Sequence, residues 1–186
     1  MSPKSNPTLA EARVTAGGDG MRRICGIHVE HDGQVAAVWL SHDKDVDRVH
    51  LYDCVKHERE VLAVQAESIK RRGAWIPVAW NEGAKEIADR LLEHGVNIIP
   101  ESVKNKDQLA EATALEIWER MRTGRFRVKE TLQDWLDEFS TYQRQDGSVP
   151  LDTHPLMNAT RHAIANLEWA RTNTRKAIKY PKVAMV

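Results

Sequence analysis

Three short clusters in this 186-residue chain carry the side chains best suited to chemistry. The first is His28, with Glu30 and Asp32 just beyond it; the second is Trp80-Asn81-Glu82-Gly83. The third runs from Asp152 and His154 to Asn158, Arg161 and His162. Carboxylate oxygens suit hard cations such as Mg²⁺, while imidazole nitrogen shifts preference toward Zn²⁺ or Mn²⁺. The eight histidines and two cysteines show no His-x-x-x-His or Cys-x-x-Cys spacing, so no zinc signature is present. Each cluster also has a plain structural reading. His28 could be a satisfied strand-end histidine, Asn81 a turn residue, and Asn158 with Arg161 and His162 ordinary helix surface.

The elements that must position these clusters follow from periodicity. Arg23–Val29 and 34–40 are apolar and β-branched, separated by the polar turn Glu30-His31-Asp32-Gly33, which predicts a hairpin. A second turn leads into 48–55 and a third antiparallel strand. Residues 60–72 switch to helical period, 74–80 reads as a short strand, and 83–94 as an amphipathic helix closed by Gly95. A short strand over 96–99, a helix over 107–122 and a short strand at 126–128 follow. Thr131-Leu132-Gln133-Asp134 reads as a capping box opening the next helix, and 155–172 as the last. The expected fold class is α/β, a mixed sheet of three antiparallel strands followed by parallel strands, flanked by helices. His28 and Asn81 then fall at strand carboxyl ends, where open sheets gather ligands.

Composition bounds the function class. The chain suits one domain, and no apolar run approaches the roughly 18 residues of a membrane span. Residues 1–21 read as a linker, 22–172 as the domain and 173–186 as a basic tail. Cys25 and Cys54, expected on adjacent strands, read as buried free thiols in a reducing compartment. The net charge is zero, yet residues 171–186 hold Arg171, Arg175, Lys176, Lys179 and Lys182 with no acid. Such a segment reads either as a solvated terminus or as a phosphate contact. Trp75, Trp80, Trp118, Trp135 and Trp169 read as core.

The ordered phrases Gly26-Ile27-His28, Trp80-Asn81-Glu82-Gly83, Ile98 to Lys106, Gly124-Arg125-Phe126-Arg127-Val128, Leu132 to Tyr142 and Asn158 to His162 form a series. Over about residues 22 to 170 that series resembles the RNase H-like superfamily, and within it the C-terminal nuclease domain of tailed-phage terminase large subunits. The resemblance implies metal-dependent DNA cleavage and places His28, Asn81 and Asn158 where that family carries acidic metal ligands. It implies DNA contact by Lys104, Lys106 and Arg161. The implied partners are DNA, a terminase ATPase motor, a small terminase subunit and a portal, with no membrane, in the host-cell cytoplasm. The motor's own phosphate-binding motif has no counterpart in the sequence: Gly17-Gly18-Asp19-Gly20 lacks the Lys-Ser/Thr ending.

Hydrolysis of this kind uses two divalent ions, Mg²⁺ or Mn²⁺, roughly 3.5–4 Å apart. Asn in place of Asp keeps the shape but loses the charge, and His replaces oxygen with nitrogen. Three such replacements imply weak or absent metal binding, and hence a packaging domain that contacts DNA or a partner without cutting. Two alternatives remain open at this stage. Glu30, Asp152 and His154 could serve as substitute metal ligands beside His28 in an active endonuclease. The chain could also be an unrelated α/β interaction module.

Overall fold

The computed structural model describes residues 21–173, apart from 58–59, 82, 101–105, 145–147 and 151–152 and the side chains of 106–108. The expected linker and most of the basic tail therefore lie outside the described residues. Three strands come first: β1 (Arg22–Val29), β2 (Val35–Asp43) and β3 (Arg48–His57). Their alternating apolar positions pair in an antiparallel meander, with Ile24 opposite Leu40 and Leu40 opposite Leu51. Gly33 adopts a positive φ of 83°, the left-handed conformation that the tight β1–β2 turn needs.

Helix α1 (Leu62–Arg71), the two-residue strand β4 (Val78–Ala79) and α2 (Lys85–Glu93) follow, then α3 (Lys106–Arg122), β5 (Phe126–Val128), α4 (Gln133–Thr141) and α5 (Pro155–Ala165). The sheet order is β4-β1-β2-β3-β5. Both short strands pair in parallel, β4 with β1 and β5 with β3. The parallel strands thus bracket the meander on opposite edges instead of extending it on one side.

Several elements are shorter than their sequence patterns. The strand expected over 74–80 shrinks to Val78–Ala79, because the chain turns through Gly73 to Ile76 first. The strand expected over 96–99 is a single bridge from Ile98 to Val78. The capping box does not close: Leu132 is the α4 N-cap with no side-chain bond, and Gln133 bonds Asp137 instead. The last helix ends at Ala165, and a 3₁₀ turn, Leu167–Trp169, takes the chain to Arg171. There Arg23 and Arg171 exchange two backbone hydrogen bonds of 2.7 and 3.0 Å.

Two cores sandwich the sheet. On one face Ile24, Val38, Leu40, Leu51 and Phe126 pack with Ile117, Trp135, Leu156, Ala159 and Ala163 from α3, α4 and α5. On the other, Cys25, Ile27, Val29, Ala37 and Trp39 pack with Ala66, Ile69 and Leu91 from α1 and α2. Alternation along a strand puts residues i and i+2 on one face, which explains the split. Cys25 and Cys54 are free thiols on β1 and β3, with β2 between them. They are therefore not on neighbouring strands. Trp135 is fully buried, whereas Trp118 is 60% exposed on α3 and is no part of the core.

The contact that positions everything below is between β1 and α5. A Cβ on Gly26 would overlap the Ala159 carbonyl oxygen and lie 2.9 Å from the Ala163 backbone nitrogen. Only glycine lets the helix lie this close to the central strand.

Candidate functional site

His28 and Asn81 are held at the carboxyl end of β1, and Asn158 on α5, each by different means. His28 faces α5, its Nδ1 3.5 Å from Nε2 of His162, with the two rings within 8° of parallel. Asn81 lies two residues past the end of β4 and reaches across to β1. The Val29 N–H donates to Asn81 Oδ1 at 2.8 Å, and Asn81 Nδ2 donates to the Val29 carbonyl at 3.1 Å. The amide thereby copies a backbone partner and ties β1 to the chain two residues beyond Ala79. A carboxylate could accept the first bond but could not donate the second.

Asn158 is fully buried on α5, one helical turn before His162, and its Oδ1 accepts from Arg161 Nη2 at 2.7 Å. Arg161 is itself buried, and its Nε and Nη1 have no hydrogen-bond partner among the described residues. Burial lowers the Arg161 pKa, against the pull of Tyr142 and Glu111, but a guanidinium stays protonated at neutral pH. This stretch of α5 is not ordinary helix surface. The His162 pKa falls to about 3, first through burial and then through the neighbouring His28 and Arg161. Its imidazole is neutral at pH 7.

The remaining sequence candidates are placed as follows. Glu30 sits just past β1 in the turn, where its backbone bonds Gln34 and Gly33. Burial, then Asp32 and Glu138, push its carboxyl above the usual range, with Lys56 opposing. His154 is the α5 N-cap residue. Both its ring nitrogens are engaged, Nδ1 with Thr153 Oγ1 at 2.7 Å and Nε2 with Thr141 Oγ1 at 3.1 Å. Asp152 and Lys104 lie outside the described residues, and Lys106 is the first residue of α3. Arg161 faces inward, away from any surface ligand.

Sequence reasoning missed Glu138. Its buried carboxylate accepts from the Leu156 and Met157 N–H groups at 2.8 and 3.2 Å, capping α5 from α4, and from Lys56 at 3.4 Å. A negative charge at a helix N-terminus is stabilising there. The only sequence signal is a glutamate on the apolar side of α4, beside Trp135.

Positions 28, 81 and 158 offer no carboxylate oxygen to a hard cation. At the three key positions stand one imidazole and two amides, each amide committed to a described bond, with a guanidinium on the oxygen of the second. A carboxylate at 158 would offset the Arg161 charge; the amide leaves it standing. Among the described residues, no group of three or more His, Cys, Asp or Glu side chains is placed to hold a metal ion.

Known proteins share both the order of these elements and their packing. The terminase large subunit of Salmonella phage P22 is 28% identical over 159 residues, covering 79% of this chain and 31% of that protein. That of Enterobacteria phage LP7 is 28% identical over 139 residues, covering 68% of this chain and 29% of that protein. The P22 large terminase nuclease domain superimposes with a TM-score of 0.75 at 22% identity, covering 84% of this chain and 86% of that domain. The chain has the RNase H-like fold of terminase nuclease domains. A more distant example of the terminase-nuclease fold is the nuclease domain of the SPP1 large terminase, solved with bound Mn. It has a TM-score of 0.61 at 22% identity and covers 78% of this chain and 85% of that one. The chain spans under a third of the length of the curated relatives it matches. No family-level sequence model matches it. No helix among the described residues is long and apolar enough to cross a membrane.

Proposed function

We propose that this chain is the terminase-type nuclease domain of a phage DNA-packaging assembly whose metal site has decayed, so that it contacts DNA or packaging partners without cutting. The observation that carries this reading is the Asn158–Arg161 pair. Two hard cations and an incoming phosphate need several carboxylates to offset one another's charge. Here the place of one acid is held by a neutral amide, beside a fixed positive charge. Asn81 supports the same reading, because its amide does structural work that an acid could not do.

The fold relatives and the sequence relatives together support a packaging context, with an ATPase motor, a small terminase subunit and a portal as the expected neighbours. The SPP1 nuclease domain, solved with bound Mn, supports a divalent ion as what such a site would have held. Isothermal titration with Mg²⁺ and Mn²⁺, run beside a supercoiled-plasmid nicking assay, tests the reading. Neither tight two-ion binding nor nicking above background is expected. Efficient Mn²⁺-dependent nicking, lost in Glu30→Ala and Asp152→Ala, would instead establish an active endonuclease with substitute ligands.

A further inference from the structure

We infer that the opposite end of the sheet, on the face away from α5, is a contact surface for the phosphate backbone of duplex DNA. The inference rests on the DNA-contact reading above and locates that contact away from the decayed site. Register alone lines the surface up. Arg23 on β1 lies opposite Ser41 on β2, Ser41 opposite His50 on β3, and His50 opposite Arg127 on β5. Their strand neighbours Ile24, Leu40, Val49, Leu51, Phe126 and Val128 all belong to the α3–α5 core. Alternation therefore turns all four members of the row to the other face. Arg48 shares that face two residues before His50, and Lys129 extends it beyond β5 through a bond from its N–H to the Leu51 carbonyl.

Arg48, Arg127 and Lys129 are exposed, and Arg23 is half-buried. Among the described residues none of the four takes part in an ion pair, whereas Arg72, Arg120, Arg122, Arg125 and Arg144 each do. The cluster is close enough that Arg127 and Lys129, after burial, lower the His50 pKa. On this face four cations meet one cross-strand acid, Asp43 opposite Arg48. An excess of like charge costs stability, so it points to an anion supplied from outside. The backbone bonds between Arg23 and Arg171 join the chain's C-terminal stretch to the same end of the sheet.

Geometry favours a duplex over an acidic polypeptide. Four strands spaced by about 4.8 Å make the row roughly 14 Å long. That is close to the ~12 Å width of the DNA major groove, the scale on which one strip of cations meets phosphates on both lips. A polypeptide would also need apolar pockets for anchoring side chains. The nearest aromatic rings, Tyr52 and Trp75, are already covered by the Arg23 guanidinium at 5.4 and 5.9 Å.

The test is fluorescence anisotropy of a labelled 30-bp duplex with the full chain, titrated across a range of salt concentrations. Combined Arg48→Glu, Arg127→Glu and Lys129→Glu should weaken binding at least about tenfold and lower the salt slope by roughly three, at about 0.9 per phosphate contact. Thermal melting should stay unchanged. Arg90→Glu, an exposed reversal on α2, should leave affinity within about twofold. If the triple variant binds like Arg90→Glu, the inference fails while DNA contact elsewhere stands. If the parent does not bind the duplex even at low salt, both the inference and the DNA-contact reading fail. Tighter binding to poly-glutamate than to DNA would also overturn the assignment.

Discussion

At the scale of single residues, the amide of Asn81 and the imidazole of His162 each have a role that the side chain's chemistry dictates. Asn81→Asp keeps size and shape but removes the donor to the Val29 carbonyl and sets two oxygens against each other. A loss of about 1–3 kcal/mol is expected, measured by urea denaturation at neutral pH. His162 makes a pH prediction. In the unfolded chain it titrates near 6.5, and in the folded protein near 3. Between those values only the unfolded chain carries the proton, so stability rises with pH across the window and reaches its full value above about 6.5. Each unit of acidification from there costs up to about 1.4 kcal/mol. Denaturation midpoints at pH 7, 6 and 5 should fall in the parent and fall less in His162→Gln. Equal slopes in the two proteins would show that this imidazole is not the linked group.

At the scale of elements, the site exists because a glycine lets a helix touch a strand. Gly26→Ala must push α5 away from β1, since the added carbon meets backbone atoms, which cannot rotate aside. Overpacking of this kind costs about 1–3 kcal/mol or more, and the shift also separates His162 from His28. A lower thermal midpoint is expected, with altered chemical shifts for both imidazoles. A midpoint equal to the parent's would mean that the two elements have slack. Asp47 plays the matching role at the other end of the sheet. It sits in the β2–β3 turn at φ 48°, taking Arg120 from α3 at 3.0 Å and Arg125 from the β5 approach at 2.7 Å. Its carboxyl is held below the usual range because these bonds, with His42, outweigh burial.

At the scale of the whole molecule, Glu30, Asp32 and Glu138 gather near the carboxyl end of β1. The end where β1 starts carries Arg23, Arg48, Arg127 and Lys129 alongside the acids of the β2–β3 turn, Asp43, Asp45 and Asp47. Neutralising Arg175, Lys176, Lys179 and Lys182 together should lower the salt dependence of DNA binding by up to about 3.6 and leave melting unchanged. An unchanged salt slope would mean that this segment makes no phosphate contact.

The meander, the helices and the edge strand at 126–128 were legible in the sequence, because apolar period and turn residues are local properties. The short strands over 74–80 and 96–99 were not, since how many residues pair depends on where the neighbouring strand runs. The capping box at Thr131 matched the motif but not the structure, as the helix begins at Gln133 with Leu132, which has no capping oxygen, at its N-cap. The sequence by itself determined the residue types at 28, 81 and 158, and so the shortage of negative charge. Only the tertiary structure decided what those residues do instead: an amide pairing with the Val29 backbone, another meeting Arg161, and an imidazole stacked on His162. It alone also drew Arg23, Arg48 and Arg127 from β1, β3 and β5 onto one face. The physical reason is that hydrogen-bond partners and strand register are set by packing between segments far apart in the chain, and no local pattern encodes them.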